Sequence, residues 1–115
     1  LVFDQNKNYE YIKSEMPPLG IVKYFTESMV KSSTMDLKDK TLVVYTDGVT
    51  EGYLKNGEEL GAEGVQNIIN SIENINPKNI VLGIEKELNW GAEKLRDDIT
   101  CMAINIENTE LIKKK

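Results

Sequence analysis

The pattern of apolar and polar residues predicts several β-strands. Residues 1–3 and 9–12 are apolar-rich runs on either side of a polar segment, which is typical of a hairpin with a long turn. Residues 42–45 are continuously apolar, and residues 99–106 are apolar at both alternate sets of positions. We therefore predict that both segments are strands buried on both faces. Residues 25–35, rich in Thr, Ser and Val, predict one or two strands with a solvated face.

Two later segments have the periodicity of amphipathic helices. The spacing predicts helices over about residues 63–75 and 77–89, packed side by side on one face of the sheet. Asn76 followed by Pro77 is typical of a helix N-cap and first turn, and Trp90 with Gly91 predicts the end of the second helix. The apolar positions are Val65, Ile68, Ile69 and Ile72 in the first helix, and Ile80, Val81, Ile84 and Leu88 in the second.

Turn-forming residues separate these segments. Two prolines and a glycine within residues 16–20 predict a turn or loop, and residues 37–40 predict another turn. Asn56 followed by Gly57 predicts a hairpin or loop. The chain is therefore expected to have an α/β (α+β) fold.

Composition narrows the classes of function. The 115 residues suit one domain, with 29% charged and 40% hydrophobic residues, and no apolar run is long enough to span a bilayer. A net charge of −5 argues against a nucleic-acid binder, and we interpret residues 113–115, which are all Lys, as a solvated terminus. The single Cys101 fits a reducing compartment. The absence of His excludes catalytic triads and His-based zinc sites and leaves carboxylates as metal ligands.

Acidic residues flank two of the predicted strands. Asp47 directly follows the strand at residues 42–45, whereas Asp97 and Asp98 directly precede the strand at residues 99–106. If these strands are antiparallel neighbours, the acidic positions meet at one end of the sheet, where they could bind a hard cation. The alternative is that Asp47 only shapes a turn with Gly48, because Asp-Gly is a strong turn signal.

Four motifs in order resemble those of a known family: P-L-G-I at residues 18–21, Y-T-D-G-V-T-E at 45–51, G-E-E-L-G at 57–61 and D-D-I-T at 97–100. They are similar to motifs of the metal-dependent protein Ser/Thr phosphatases of type 2C, within them the bacterial SpoIIE and RsbU-like branch. The resemblance covers nearly all of the chain. Asp98 stands where eukaryotic relatives often carry Asn, and Leu60 replaces the usual aromatic residue, which affects packing more than chemistry.

The resemblance implies a fold, a cofactor and a reaction. The fold would be part of a four-layer αββα sandwich with antiparallel sheets. Asp47 and Asp97 would bind two Mn²⁺ or Mg²⁺ ions, and a bridging hydroxide would attack a phosphoserine or phosphothreonine. Asp98, Gly48 and Glu51 are further candidates, as ligands or as residues that support the ligands or the turn. The implied substrate is a STAS-domain antagonist of an anti-sigma factor, in the bacterial cytoplasm.

The motifs that the chain lacks lead to a further expectation. The family's Ala-Gly-His motif and its Gly-Asp motif, which supplies another metal-bridging carboxylate, do not occur in this sequence. Residues 1–115 would then be the C-terminal segment of one phosphatase domain, inactive alone and with an uncovered inner sheet face that self-associates. Two alternatives stay open: a non-catalytic regulatory or interaction half-domain, and an unrelated α/β binding module with a turn-forming Asp-Gly.

Overall fold

The computed structural model describes residues 1–13, 20–24, 26–88 and 98–106, which form one antiparallel sheet packed against helices. A 3-10 turn spans Glu27–Met29. The mixed α/β class is confirmed and is consistent with the type 2C phosphatase fold. The strands are β1 (Val2–Asp4), β2 (Tyr9–Glu10), β3 (Lys40–Tyr45) and β4 (Cys101–Asn105), in the order β2-β1-β3-β4, and the helices are α1 (Asp47–Thr50), α2 (Gly61–Ser71) and α3 (Pro77–Glu87).

The two faces of the sheet have different environments. Val43 is 1% exposed and lies opposite Ala103 on the face that packs against the helical core. The neighbouring pair, Val44 and Met102, is exposed on the other face at 46% and 50%. The prediction that β3 and β4 are buried on both faces is therefore wrong for the described residues, because exposure alternates along both strands.

We call this second surface of β3 and β4 the open face and define it by Leu42, Val44, Met102 and Ile104. Its side chains form two cross-strand pairs, Leu42 with Ile104 and Val44 with Met102. Leu42 pairs with Val2 of β1 on one side and with Ile104 of β4 on the other. Val2 is buried, whereas Ile104 is exposed. Exposure along this row of paired residues therefore increases from β1 to β4.

The two long helices pack against each other and supply five of the twelve buried hydrophobic residues among those described. Asn76 caps α3, since its side-chain oxygen accepts a hydrogen bond from the N–H of Asn79 at 2.8 Å. Gly83 brings α3 close to α2, because a Cβ there would lie 3.0 Å from a methyl carbon of Ile68. The predicted side-by-side packing on the sheet is confirmed. The fully buried positions of these helices include Val65, Ile69, Ile80 and Ile84.

The connections confirm some predictions and correct others. The turn at residues 37–40 closes with a 3.0 Å hydrogen bond from Lys40 N–H to the Leu37 carbonyl. Gly57 has a φ of +89°, as the Asn-Gly loop requires. The strands predicted within residues 25–35 are wrong, since the described residues there form a 3-10 turn and irregular backbone. No helix in the described ranges is both long and apolar enough to cross a bilayer.

Several predicted features lie outside the described residues. These are most of the turn at residues 16–20, the helix end at residues 90–91 and the Lys-rich terminus at residues 113–115.

Candidate functional site

Strand β3 leads directly into α1, and Asp47 is at this junction. Thr46 has extended backbone angles (φ −87°, ψ 166°), and its carbonyl accepts a hydrogen bond from Val49 N–H at 2.9 Å. Val49 is fully buried, which fixes α1 to the core, whereas Asp47 is exposed. The predicted position of Asp47 at the end of the sheet is confirmed, but the predicted tight turn is a short helix instead.

The start of β4 lies beside this junction. Tyr45 pairs with Cys101, and one residue further Thr46 N–H donates to the Thr100 carbonyl at 3.0 Å. The Thr46 hydroxyl donates to the Asp98 carbonyl at 3.2 Å and accepts from Thr100 N–H at 3.1 Å. The segment that carries Asp98 therefore meets the Asp47 motif at one end of the sheet, as the sequence predicts.

Asp97, the second predicted metal ligand, lies outside the described residues. Its approach to Asp47, and its role as a ligand, therefore stay predictions. Asp98 is exposed, and its backbone is held by Thr46. Glu51 is the exposed C-cap residue of α1, and its N–H donates to the Asp47 carbonyl at 2.8 Å.

Gly48 lies directly against the segment that precedes β4. A Cβ added at Gly48 would overlap the Asp98 carbonyl and would lie 3.3 Å from the Ile99 Cα. Since both neighbours are backbone atoms, neither could rotate away. Gly48 therefore allows the two acidic motifs to approach closely.

A Gly48→Ala substitution is expected to lower the free energy of unfolding by about 1–3 kcal/mol, the usual cost of overpacking. Urea denaturation followed by circular dichroism would measure it. Asn67→Ala is the control, because residue 67 is exposed on α2 and Ala favours a helix, so this variant should keep its stability. If both variants had the stability of the unchanged chain, the close approach at Gly48 would be wrong.

The third motif, at residues 57–61, packs against the same junction. Leu60 N–H donates to the Gly52 carbonyl at 2.8 Å, and the Leu60 side chain is buried in the core. The expectation that Leu60 acts through packing is confirmed. Of the first motif only Gly20 and Ile21 are described, and the Ile21 side chain is 73% exposed.

The donor atoms at the junction suit a hard cation, but they are few. Asp47 and Asp98 offer carboxylate oxygens, which Mg²⁺ and Mn²⁺ prefer. Within the described part of the chain, no group of three His, Cys, Asp or Glu residues could hold a metal ion. These residues therefore fit one side of a metal site and cannot complete one.

Cys101 is the first residue of β4 and pairs with Tyr45, next to the junction. Its side chain is half-buried and packs at the edge of the core. Burial raises the pKa of the Cys101 thiol, which disfavours the nucleophilic thiolate. The prediction that Cys101 is a small hydrophobic residue is confirmed, although its burial is partial.

A cleft of about 670 Å³ runs along the β3 side of the junction. Its lining includes the Asp47 and Thr50 ends of α1 together with Tyr11 and Lys13. This volume lies within the range of about 300–1,000 Å³ that is typical of ligand sites. Asp47 is therefore among the residues that line an open cleft.

Thr46 has a more specific position than the sequence indicates. Its place in the motif at residues 45–51 indicates no partner for its hydroxyl, whereas the structure shows that hydroxyl bonded to two backbone groups of the other acidic motif. A Thr between a strand and a helix is a weak signal for such a bridge, because Thr hydroxyls often bond nearby backbone groups. The partners themselves depend on the β3–β4 register.

Comparison with known proteins agrees with this arrangement. The family model for Stage II sporulation protein E (SpoIIE) matches residues 1–107. Neither a curated protein nor a solved structure matches the chain. Because the family match covers more than nine-tenths of the sequence and includes every described element, the chain belongs to the SpoIIE family.

Proposed function

We propose that this chain contributes one side of the two-metal site of a protein Ser/Thr phosphatase. Asp47 and Asp97 would bind Mn²⁺ or Mg²⁺, with Asp98, Gly48 and Glu51 supporting the ligands. The bound metal would acidify a water and neutralise the phosphate charge. The substrate would be a phosphoserine protein of a bacterial signalling system in the cytoplasm, and a STAS-domain antagonist of an anti-sigma factor fits this role.

The observation that carries the proposal is the meeting of three family motifs at one corner of the sheet. Strand β3 ends at the Asp47 motif, residues 98–100 bond to Thr46, and Leu60 bonds to Gly52. Hydrogen bonds join all three motifs at this corner, and a metal site needs such support to fix its ligands. Membership of the SpoIIE family supports the same chemistry.

A non-catalytic interaction half-domain is the second candidate. It is favoured by the ligand count, since the described residues offer no cluster of three metal-binding side chains. Phosphoryl transfer by two metal ions needs ligands for both ions. Under this alternative Asp47 would keep its position without binding a functional cation.

Phosphatase assays with Mn²⁺ and a phosphoserine protein distinguish the two candidates. We expect no turnover from the chain alone, and Mn²⁺-dependent turnover when a separately expressed segment with the family's Gly-Asp motif is added. Asp47→Asn should abolish that turnover, because an amide lacks the negative charge of the carboxylate. Asp39→Asn is the matched control, since Asp39 is at the opposite end of β3 and Asn tolerates its φ of +57°.

Two results would change the proposal. Turnover by the chain alone that is lost in Asp47→Asn would mean that its own residues complete the site. No turnover in the mixture, together with no Mn²⁺ binding by calorimetry, would leave the interaction half-domain as the function.

A further inference from the structure

We propose that the Thr46 hydroxyl is a positioning group that holds the two acidic motifs at a fixed separation. It would set the distance between the Asp47 and Asp98 carboxylates and thereby the affinity of the junction for a divalent cation. The part of this inference that concerns metal affinity rests on the proposed phosphatase function. The part that concerns backbone geometry depends only on the hydrogen bonds at the junction.

The argument begins with the hydrogen-bond pattern of the β3–β4 ladder. In an antiparallel ladder, every second pair of opposite residues exchanges two bonds, each N–H donating to the other residue's carbonyl. Thr46 and Thr100 make the first of these bonds, from Thr46 N–H to the Thr100 carbonyl at 3.0 Å. The regular second bond would run from Thr100 N–H to the Thr46 carbonyl.

That carbonyl already has another partner, because it accepts the hydrogen bond from Val49 N–H that begins α1. Thr100 N–H instead donates to the Thr46 hydroxyl at 3.1 Å. The hydroxyl therefore replaces the carbonyl in the ladder. The backbone can turn into the helix that carries Asp47 while the ladder continues by one residue.

The same hydroxyl also donates to the Asp98 carbonyl at 3.2 Å. Its donor and one acceptor position are thus both used by the segment at residues 98–100. The Asp98 carbonyl in turn lies against the Gly48 backbone. Residues 46 and 48 therefore fix residue 98 from two directions, next to the candidate ligand Asp47.

Loss of the Thr46 hydroxyl is expected to change the position of residues 98–100 more than the stability of the fold. Thr46 and Thr100 are exposed, so water can replace the lost hydrogen bonds in a variant without the hydroxyl. The fold would then be kept while the segment at residues 98–100 moves away from the junction. Groups that orient metal ligands typically change metal affinity about 10–100-fold when they are removed.

The test compares Thr46→Val, which keeps the side-chain shape without the hydroxyl, with Thr46→Ser, which keeps the hydroxyl. In the metal-free chain, the Thr100 amide should exchange with solvent about fivefold faster in the Val variant, equivalent to one hydrogen bond, and at the unchanged rate in the Ser variant. Nuclear Overhauser contacts between residues 48 and 98 should weaken only in the Val variant. The thermal midpoints of all three chains should stay close together.

In a Mn²⁺ titration of the chain mixed with the segment that carries the family's Gly-Asp motif, broadening of the amide signals of residues 46–48 and 98–100 reports binding. The half-saturation concentration should rise about 10–100-fold in the Val variant, and the Ser variant should restore most of the affinity. An unchanged affinity in the Val variant would overturn the role toward the cation. If the Val variant kept both the exchange rate of the Thr100 amide and the Overhauser contacts between residues 48 and 98, the positioning role itself would be wrong. If the mixture with the unchanged chain showed no broadening, the metal site would be wrong, and the metal-free measurements would still decide the geometry.

Discussion

The Ile69→Asp variant is expected to be unfolded under conditions in which the unchanged chain is folded. Ile69 is fully buried in α2, and the described residues include no buried charged group that could pair with a new carboxylate. Burial of an unpaired carboxylate costs many kcal/mol, and the loss of the Ile side chain adds a cavity. A domain typically has only about 5–15 kcal/mol of stability, so this change should remove most of it.

Circular dichroism during thermal denaturation would measure the effect. Asn67→Asp is the control, because it adds the same charge to the same helix at an exposed position. We expect the control to keep a cooperative transition and the Ile69→Asp variant to lack one. A cooperative transition at an unchanged temperature in Ile69→Asp would contradict the core assignment.

The purified chain is expected to self-associate through the open face. Val44 and Met102 are cross-strand neighbours that are each about half exposed, and Ile104 extends the same surface along β4. Scattered exposed apolar residues are ordinary, whereas a contiguous apolar patch usually marks an interaction site. In the described part of the chain β4 pairs only with β3, so its other edge offers backbone groups to a second copy.

Sedimentation velocity would show a dimer or larger species, and Met102→Lys should shift the chain to a monomer without loss of structure. Leu82→Lys is the matched control: Leu82 is similarly exposed at 47%, but it lies on α3, away from the open face. A monomer at every concentration would show that the open face does not mediate self-association. If Met102→Lys and Leu82→Lys reduced self-association equally, the association would not be specific to the open face.

The helices could be predicted closely because their signals are local. The apolar spacing of residues such as Ile69 and Ile84 defines one helical face, and the Asn76 cap depends on a side chain only three residues from its partner. From the sequence, antiparallel pairing of β3 and β4 was the condition for the two acidic motifs to meet, and the structure has this pairing. The meeting of Asp47 with the Asp98 segment was therefore predictable from the order of motifs.

Other features depend on distant parts of the chain. Burial of a strand on both faces requires a second layer, which the sequence of the strand itself does not encode, so the exposure of Met102 was not predicted. Residues 26–35 have β-branched residues but form no ladder, because strand propensity acts only where a pairing partner exists. The Thr46 bridge depends on the register of β3 against β4, and no local pattern defines that register.

The order of strands in the sheet has a consequence for synthesis on the ribosome. Strand β3 pairs with β4, although nearly half of the chain separates Tyr45 from its partner Cys101. Such distant contacts form late, since the intervening chain must first be ordered. During translation, the edge of β3 that pairs with β4 would therefore stay unpaired until residues 101–105 have left the exit tunnel. The junction at Asp47 is thus completed only after residues 98–105 have been synthesised.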